Sequence, residues 1–330
     1  MRTSAKIGGF ALGLAAIFAA AFAVGGAAGP SMATAAAAEG GSIYSADSMP
    51  GMSGTGSQGP ADPEMPGGLM SAQDGYTLQL NARSVPLGAQ IPVAFRILGP
   101  DGQPVTSYQT SHDKELHLIV VRRDLTGFQH VHPSRAADGT WSVPVDLPVA
   151  GEYRVFADFT PAGHDGITLG ADLAVAGTYA PQPLPAASRT AEVDGYTVTL
   201  DGDLVAGQSS ELTLSVSTGG APVTDLQPYL AAYGHLVALR DGDLAYLHVH
   251  PAGAPGDGVT PAGPGITFYA TIPSAGDYGL FLDFQHNGIV RTASFVAHAG
   301  PPTAAAQPST AEPSASSHPV PGTTDDGHGH

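Results

Sequence analysis

Two stretches of the chain, 74–177 and 194–300, carry the same pattern: short β-branched and apolar runs separated by Gly, Pro and Asp turns. In the first, runs near 76–80, 91–98, 116–122, 128–132, 140–146, 153–159 and 168–175 have the length and composition of strands. No long stretch holds a helical period. Seven short strands in about a hundred residues is the strand count of an immunoglobulin-like sandwich. The predicted fold is therefore all-β, with two tandem immunoglobulin-like β-sandwich domains between disordered N- and C-terminal tails.

The duplication is visible in the residues themselves. Asp74-Gly75-Tyr76-Thr77 returns as Asp194-Gly195-Tyr196-Thr197. Ala150-Gly151-Glu152-Tyr153 and Ala275-Gly276-Asp277-Tyr278 each lead into an aromatic run. Both have the form of a tyrosine corner, in which a Tyr near the start of strand F bonds back to the backbone upstream. Trp141, the one tryptophan, falls on a later strand than the buried Trp of antibody domains.

Outside the repeats the chain changes character. Residues 1–33 read as a signal peptide or an uncleaved N-terminal anchor: Arg2 and Lys6 precede an apolar run from Ile7 to Ala28, and Ser31-Met32-Ala33 offers small residues for cleavage. Residues 34–73 form a Met-containing linker too poor in large apolar residues to fold. Residues 178–193 are a Pro/Ala linker, and 301–330 a disordered tail ending in His328-Gly329-His330. The expected location is extracytoplasmic, either secreted or anchored to the cell envelope. Membrane contact is expected only through an uncleaved N-terminal segment.

Composition narrows the chemistry. With 12 Lys and Arg against 29 Asp and Glu, the net charge of −17 argues against nucleic acid and anionic membranes as partners and favours cations. The absence of cysteine excludes disulfides, thiolate zinc sites and blue-copper ligation. Any metal site must draw on His, carboxylate, Met or backbone oxygen.

The candidate donors are the histidines. Phe128-Gln129-His130-Val131-His132-Pro133 recurs as Tyr246-Leu247-His248-Val249-His250-Pro251, and His117 upstream recurs as His235. At i and i+2 on a strand, two imidazoles share one face, about 6–7 Å apart at the backbone. Imidazoles so placed can reach one metal ion. Whether His117 joins them depends on register. Pairing with indices summing to 249 sets His117 opposite His132; a slip of one residue turns His117 to the other face.

Strand F brings an Asp flanked by aromatics in each repeat, Asp158 and Asp283. Strands C and F are neighbours in such sandwiches, so Asp158 should lie near His117 as a ligand or as an acceptor for an imidazole N–H. Weaker candidates are His164 and His286 in the loops after strand F, and Met49 and Met52, whose thioethers suit Cu(I). His112 has no counterpart in the second repeat and carries little weight.

His117-Leu118-Ile119-Val120-Val121-Arg122, then Phe128 to Pro133, then Phe156-Ala157-Asp158-Phe159 resemble exported bacterial β-sandwich domains associated with heavy-metal handling. These are similar in architecture to YtkA-like, copper-resistance-like and cupredoxin-like domains. The resemblance covers both repeats, closely in the first and more loosely in the second. It implies an immunoglobulin-like fold and copper binding. The N-terminal His brace of the copper-resistance carriers is absent.

The expected function is thus an exported metal-binding protein for sequestration or delivery. Copper is favoured over zinc by the order of divalent affinities. No nucleophile elbow, phosphate loop or HExxH motif points to an enzyme. The alternative is a non-catalytic secreted or surface-anchored immunoglobulin-like interaction module. On that account the His and Asp are structural, no cofactor is needed and the partner is an envelope protein.

Overall fold

A computed structural model describes residues 65–301. The first repeat contains Tyr76–Leu80 (β1), Gly88–Leu98 (β2), Leu116–Arg122 (β3), Gln129–Val131 (β4), Trp141–Leu147 (β5), Gly151–Pro161 (β6) and Ile167–Val175 (β7). The second contains Tyr196–Asp201 (β8), Ser209–Thr218 (β9), Gly234–Arg240 (β10), Tyr246–Val249 (β11), Gly265–Thr271 (β12), Gly276–His286 (β13) and Ile289–Gly300 (β14). Strands of two to four residues extend the sheet edges.

Each repeat is a sandwich of two sheets, as the strand pattern implies. In the first, the order β1-β2-β5 faces β7-β6-β3-β4; in the second, β8-β9-β12 faces β14-β13-β10-β11. Both tyrosine corners form: Tyr153 Oη donates to Val149 O and Tyr278 Oη to Ser274 O, each at 2.9 Å. Trp141 is buried on β5 and donates from Nε1 to Tyr108 Oη at 3.2 Å.

The two repeats also share a core. On β3, Leu116, Leu118 and Val120 point into their own sandwich, whereas Ile119 and Val121 point away from it. On β10, Leu236 and Ala238 point inward, and Val237 and Leu239 outward. The outward residues meet one another together with Phe156, Tyr246 and Phe281. Strands β3 and β10 are consequently covered on both faces, which explains their unbroken apolar runs.

The contact is reciprocal. Phe128 of the first repeat stacks on Phe281 of the second, with ring centroids 4.0 Å apart, and Tyr246 of the second stacks on Phe156 of the first at 5.2 Å. Equivalent residues thus exchange equivalent contacts, as across a two-fold homodimer interface.

Two connecting segments tie the repeats further. Gly67–Met70, at the end of the stretch expected to be a linker, lies against both: Tyr246 N donates to Gly67 O, Gly68 N to Thr168 O, and Gly170 N to Met70 O. Gly68 has φ +73 and sits on the Phe156 ring so closely that a Cβ there would fall 2.4 Å from a ring carbon, so only glycine fits. The segment between the sandwiches is also held, through Gln182 N to Asp124 Oδ2 at 2.7 Å and Ser188 N to Val296 O at 2.9 Å.

Phe281→Ala removes the ring on which Phe128 stacks and opens the shared core. Chemical denaturation is expected to show a loss of about 3–5 kcal/mol. A loss below about 1 kcal/mol would mean that the shared core adds little to stability.

Candidate metal centre

The β3–β4 hairpin pairs Leu118 with Val131, Ile119 with His130 and Val120 with Gln129, so the indices sum to 249. In this register His117, His130 and His132 share the face turned toward the second repeat. Strand β6 sets Asp158 opposite His117 on the other side. The second repeat keeps the geometry: Val237 pairs with His248 and His235 with Asp283.

The structure differs from the sequence-based expectation in how the carboxylates are used. Each repeat was expected to build its own site, with Asp158 beside His117. Asp158 does neighbour His117 in the ladder, but its Oδ2 accepts the Nδ1–H of His248, from the other repeat, at 2.8 Å. Asp283 Oδ2 likewise accepts the Nδ1–H of His130 at 2.8 Å. Thr168 and Thr292 hydroxyls hold the remaining oxygens. The cause is the packing of the β3–β6 face on the β10–β13 face. That packing merges two expected sites into one interface cluster.

These partners fix the tautomers. His117 Nε2–H donates to Ser111 O at 3.1 Å, leaving Nδ1 as a lone pair. His130 donates from Nδ1 to Asp283, leaving Nε2 as a lone pair. These two nitrogens face each other at 3.1 Å, and His132 Nε2 lies 3.1 Å from the same His117 Nδ1. In the neutral state no proton stands between His117 and His130. A tetrahedral ion with nitrogen bonds of 2.0–2.1 Å spaces its ligands about 3.3 Å apart. One donor nitrogen from each of the three histidines lies within 4.8 Å of the others.

The second repeat repeats this scheme with a looser closure. His235 Nε2–H donates to Tyr229 O at 2.9 Å, and His248 Nδ1–H donates to Asp158. The opposite nitrogens, His235 Nδ1 and His248 Nε2, are buried with no hydrogen-bond partner. The His235 and His248 ring centroids are 6.2 Å apart, against 5.3 Å for His117 and His130. His250 is exposed at the rim.

His112 belongs to this cluster, and sequence reasoning missed it. Its ring stacks on His250 at 4.7 Å and lies 5.2 Å from His235. It comes from the first repeat on a turn with φ 49, and the corresponding turn of the second repeat holds Leu230. Duplication was the signal that selected the other histidines, and His112 lacks it.

The remaining candidates are elsewhere. His164 is exposed, 5.6 Å from Tyr76, in the loop after β6. His286 is held by Tyr196 Oη at 2.7 Å and Asp225 at 3.1 Å, away from the interface. Met49 and Met52 lie outside the described residues, as do the leader at 1–33 and the tail from 302 onward.

Burial disfavours the charged form of His117, His132 and His235. It lowers His117 to about 4, with the neighbouring His130 ring adding to the effect and the Ser111 carbonyl opposing it. It lowers His235 to about 3 and His132 to about 2. His112 is lowered for the same reason, with His248 adding to the effect. For Asp158, burial pushes the carboxyl up, but the bond from His248, the neighbouring His248 and His117 rings and the Thr168 hydroxyl together outweigh it and hold the group below its usual range. Neutral imidazole and ionised carboxylate are the states in which these residues serve as ligand and orienting acceptor.

A family profile matches twice, at residues 71–176 and 191–300. The chain belongs to the DUF8832 family, described as a domain of unknown function. The two DUF8832 copies coincide with the two sandwiches. No curated protein sequence matches the chain.

Solved structures with a similar fold include FdeC, an Escherichia coli adhesin, at 16% identity, covering 69% of this chain and 65% of that one, with TM-score 0.22. A putative membrane-anchored protein from Corynebacterium diphtheriae is 12% identical, with 71% and 60% covered and TM-score 0.21. Two fibronectin type III domains of chicken tenascin are 9% identical, with 67% and 97% covered and TM-score 0.20. The chain thus spans just under two thirds of the adhesin. Scores this low carry no argument about how the repeats are used.

The lowered His values set a pH dependence for the metal-free protein. Unfolded histidine takes a proton near 6.5, while folded His117 and His235 stay neutral to about 4 and about 3. The unfolded state therefore binds more protons below 6.5. Stability is full above that pH and falls as the pH drops toward the folded values. Denaturation at pH 7.5 and pH 5 is expected to differ by roughly 2 kcal/mol for each of these two groups. Equal stability at the two pH values would mean the imidazoles are protonated in the folded state.

Proposed function

We propose that the protein is a non-catalytic, tandem immunoglobulin-like module that binds a divalent first-row metal ion at His117, His130 and His132. The observation that carries this is the approach of His117 Nδ1 and His130 Nε2 to 3.1 Å, on rings whose opposite nitrogens are held by Ser111 O and Asp283 Oδ2. Two acceptors face to face repel in neutral imidazoles, and a cation between them removes the repulsion. Donation of the second ring N–H to a carbonyl or a carboxylate is the usual support of a metal-bound histidine.

The donor set contains imidazole and no thiolate, which favours Cu(II) ahead of Zn(II). The charge of −17 favours accumulation of cations at the surface. Arg2, Lys6 and the apolar run after them support an exported location, secreted or attached to the envelope. In this reading the role is sequestration or delivery of the ion.

A second reading is an interaction module in which the same residues only clasp the repeats together. The two crossed pairs, His130 with Asp283 and His248 with Asp158, favour it, because they bridge the repeats without any ion. The two readings separate on one measurement. Ligation to the folded state raises its stability by RT ln(1 + [L]/Kd), about 2.7 kcal/mol at a hundredfold excess over Kd. The melting temperature should rise with Cu(II) or Zn(II), fall back with chelator, and rise less in His117→Ala/His132→Ala than in the unaltered chain. A melting temperature indifferent to ion and chelator would leave only the clasp.

Asp283→Asn tests the contact that crosses between repeats. It keeps the shape but weakens the acceptor for His130, so metal affinity at His117, His130 and His132 is expected to drop about 10–100-fold in titration. Unchanged affinity would remove Asp283 from the site.

A further inference from the structure

We propose a second, composite metal site formed by His235, His248 and His250 of the second repeat together with His112 of the first. It rests on the same chemistry as the site at His117, His130 and His132, but on different atoms. His235 Nδ1 and His248 Nε2 are buried without a partner, and His235 is only 1% exposed. In neutral rings both are lone pairs, because Tyr229 O and Asp158 Oδ2 take the N–H on the far side of each ring. A buried acceptor with nothing to accept is rare in a well-packed protein and calls for a missing partner.

The rim supplies the remaining ligands. His250 is exposed, and His112 is partly exposed on a turn, with its ring 4.7 Å from His250, 5.2 Å from His235 and 6.3 Å from His248. Four imidazoles make a tetrahedral nitrogen set suited to Zn(II) or Cu(II). The His235 and His248 rings are farther apart than His117 and His130, so side-chain rotation at the rim closes the site around the ion. His250 is exposed and His112 sits on a turn, so these two make the adjustment, whereas His235 and His248 are held by their acceptors.

The two sites are close. His117 and His248 ring centroids are 5.5 Å apart, and His130 and His235 are 6.2 Å apart. Two dications at such range repel, so the second ion binds more weakly than the first. Asp158 and Asp283, each behind a histidine of the opposite site, offset part of that repulsion. Since His112 and His235 come from different repeats, an ion held by both joins the sandwiches directly.

The test is a Cu(II) or Zn(II) titration of the full chain, followed by native mass spectrometry and calorimetry. The tail histidines are removed by His328→Ala/His330→Ala to suppress loose binding. Two tight equivalents are expected. His117→Ala/His132→Ala should leave one, and His112→Ala/His250→Ala should leave the other. Both His112 and His250 are at the rim, so their loss should leave the circular dichroism spectrum unchanged. His112→Ala alone should weaken one equivalent at least 10-fold and spare the other.

A single equivalent, lost in His117→Ala/His132→Ala, would overturn the second site and leave the first standing. A single equivalent that survives those changes and is lost in His112→Ala/His250→Ala would support the composite site and overturn the first. Two equivalents indifferent to His112→Ala would remove that residue from the site.

Discussion

The arrangement depends on burying β3 and β10 on both faces. A strand in a lone sandwich turns one face to water, and residues such as Ile119, Val121, Val237 and Leu239 would then be exposed. Packing one sandwich on the other removes that surface from water, at roughly 25 cal/mol for each Å² of apolar area. The same alternation places His117 and His235 in line with those residues, one step further along each strand. The histidines reach the interface because the strand period requires it.

Once at the interface, the polar groups need partners, and the crossed pairs supply them. His130 and Asp283 are nearly solvent-free, with side-chain exposures of 2% and 5%. A carboxylate left unpaired there would be strongly unfavourable. Exchanging carboxylates between repeats satisfies both at once, and it makes the alignment of the sandwiches a condition of satisfying either. The Phe128–Phe281 and Tyr246–Phe156 stacks impose the same alignment through apolar contact. Polar and apolar constraints therefore specify one docking.

Much of this was legible in the chain. The seven strands of the first repeat, the tyrosine corners and the neighbouring of His117 with Asp158 all follow from alternation, turn residues and the known order of an immunoglobulin-like sandwich. The register of the hairpin was not legible, since sums of 249 and 250 differ by one residue and the turn around Asp124 permits either. The docking was missed, although Leu116 to Val121 gives a clue: apart from His117 it is uninterrupted by polar residues, the mark of a strand covered on both sides. His112 was illegible for a different reason. It is a residue of one repeat whose neighbours belong to the other, and nothing local marks it.

The docking also bears on how binding and stability are linked. A donor set confined to one sandwich would hold an ion whether or not the repeats were packed together. Here the acceptor that orients His130 belongs to the second repeat, and the acceptor that orients His248 belongs to the first. Separating the sandwiches frees both rings to change tautomer and rotate. An ion that prefers the fixed rings must then favour the docked state by the same free energy that docking adds to its affinity. Duplication followed by crossed pairing thus makes the interface between the repeats part of the binding site itself.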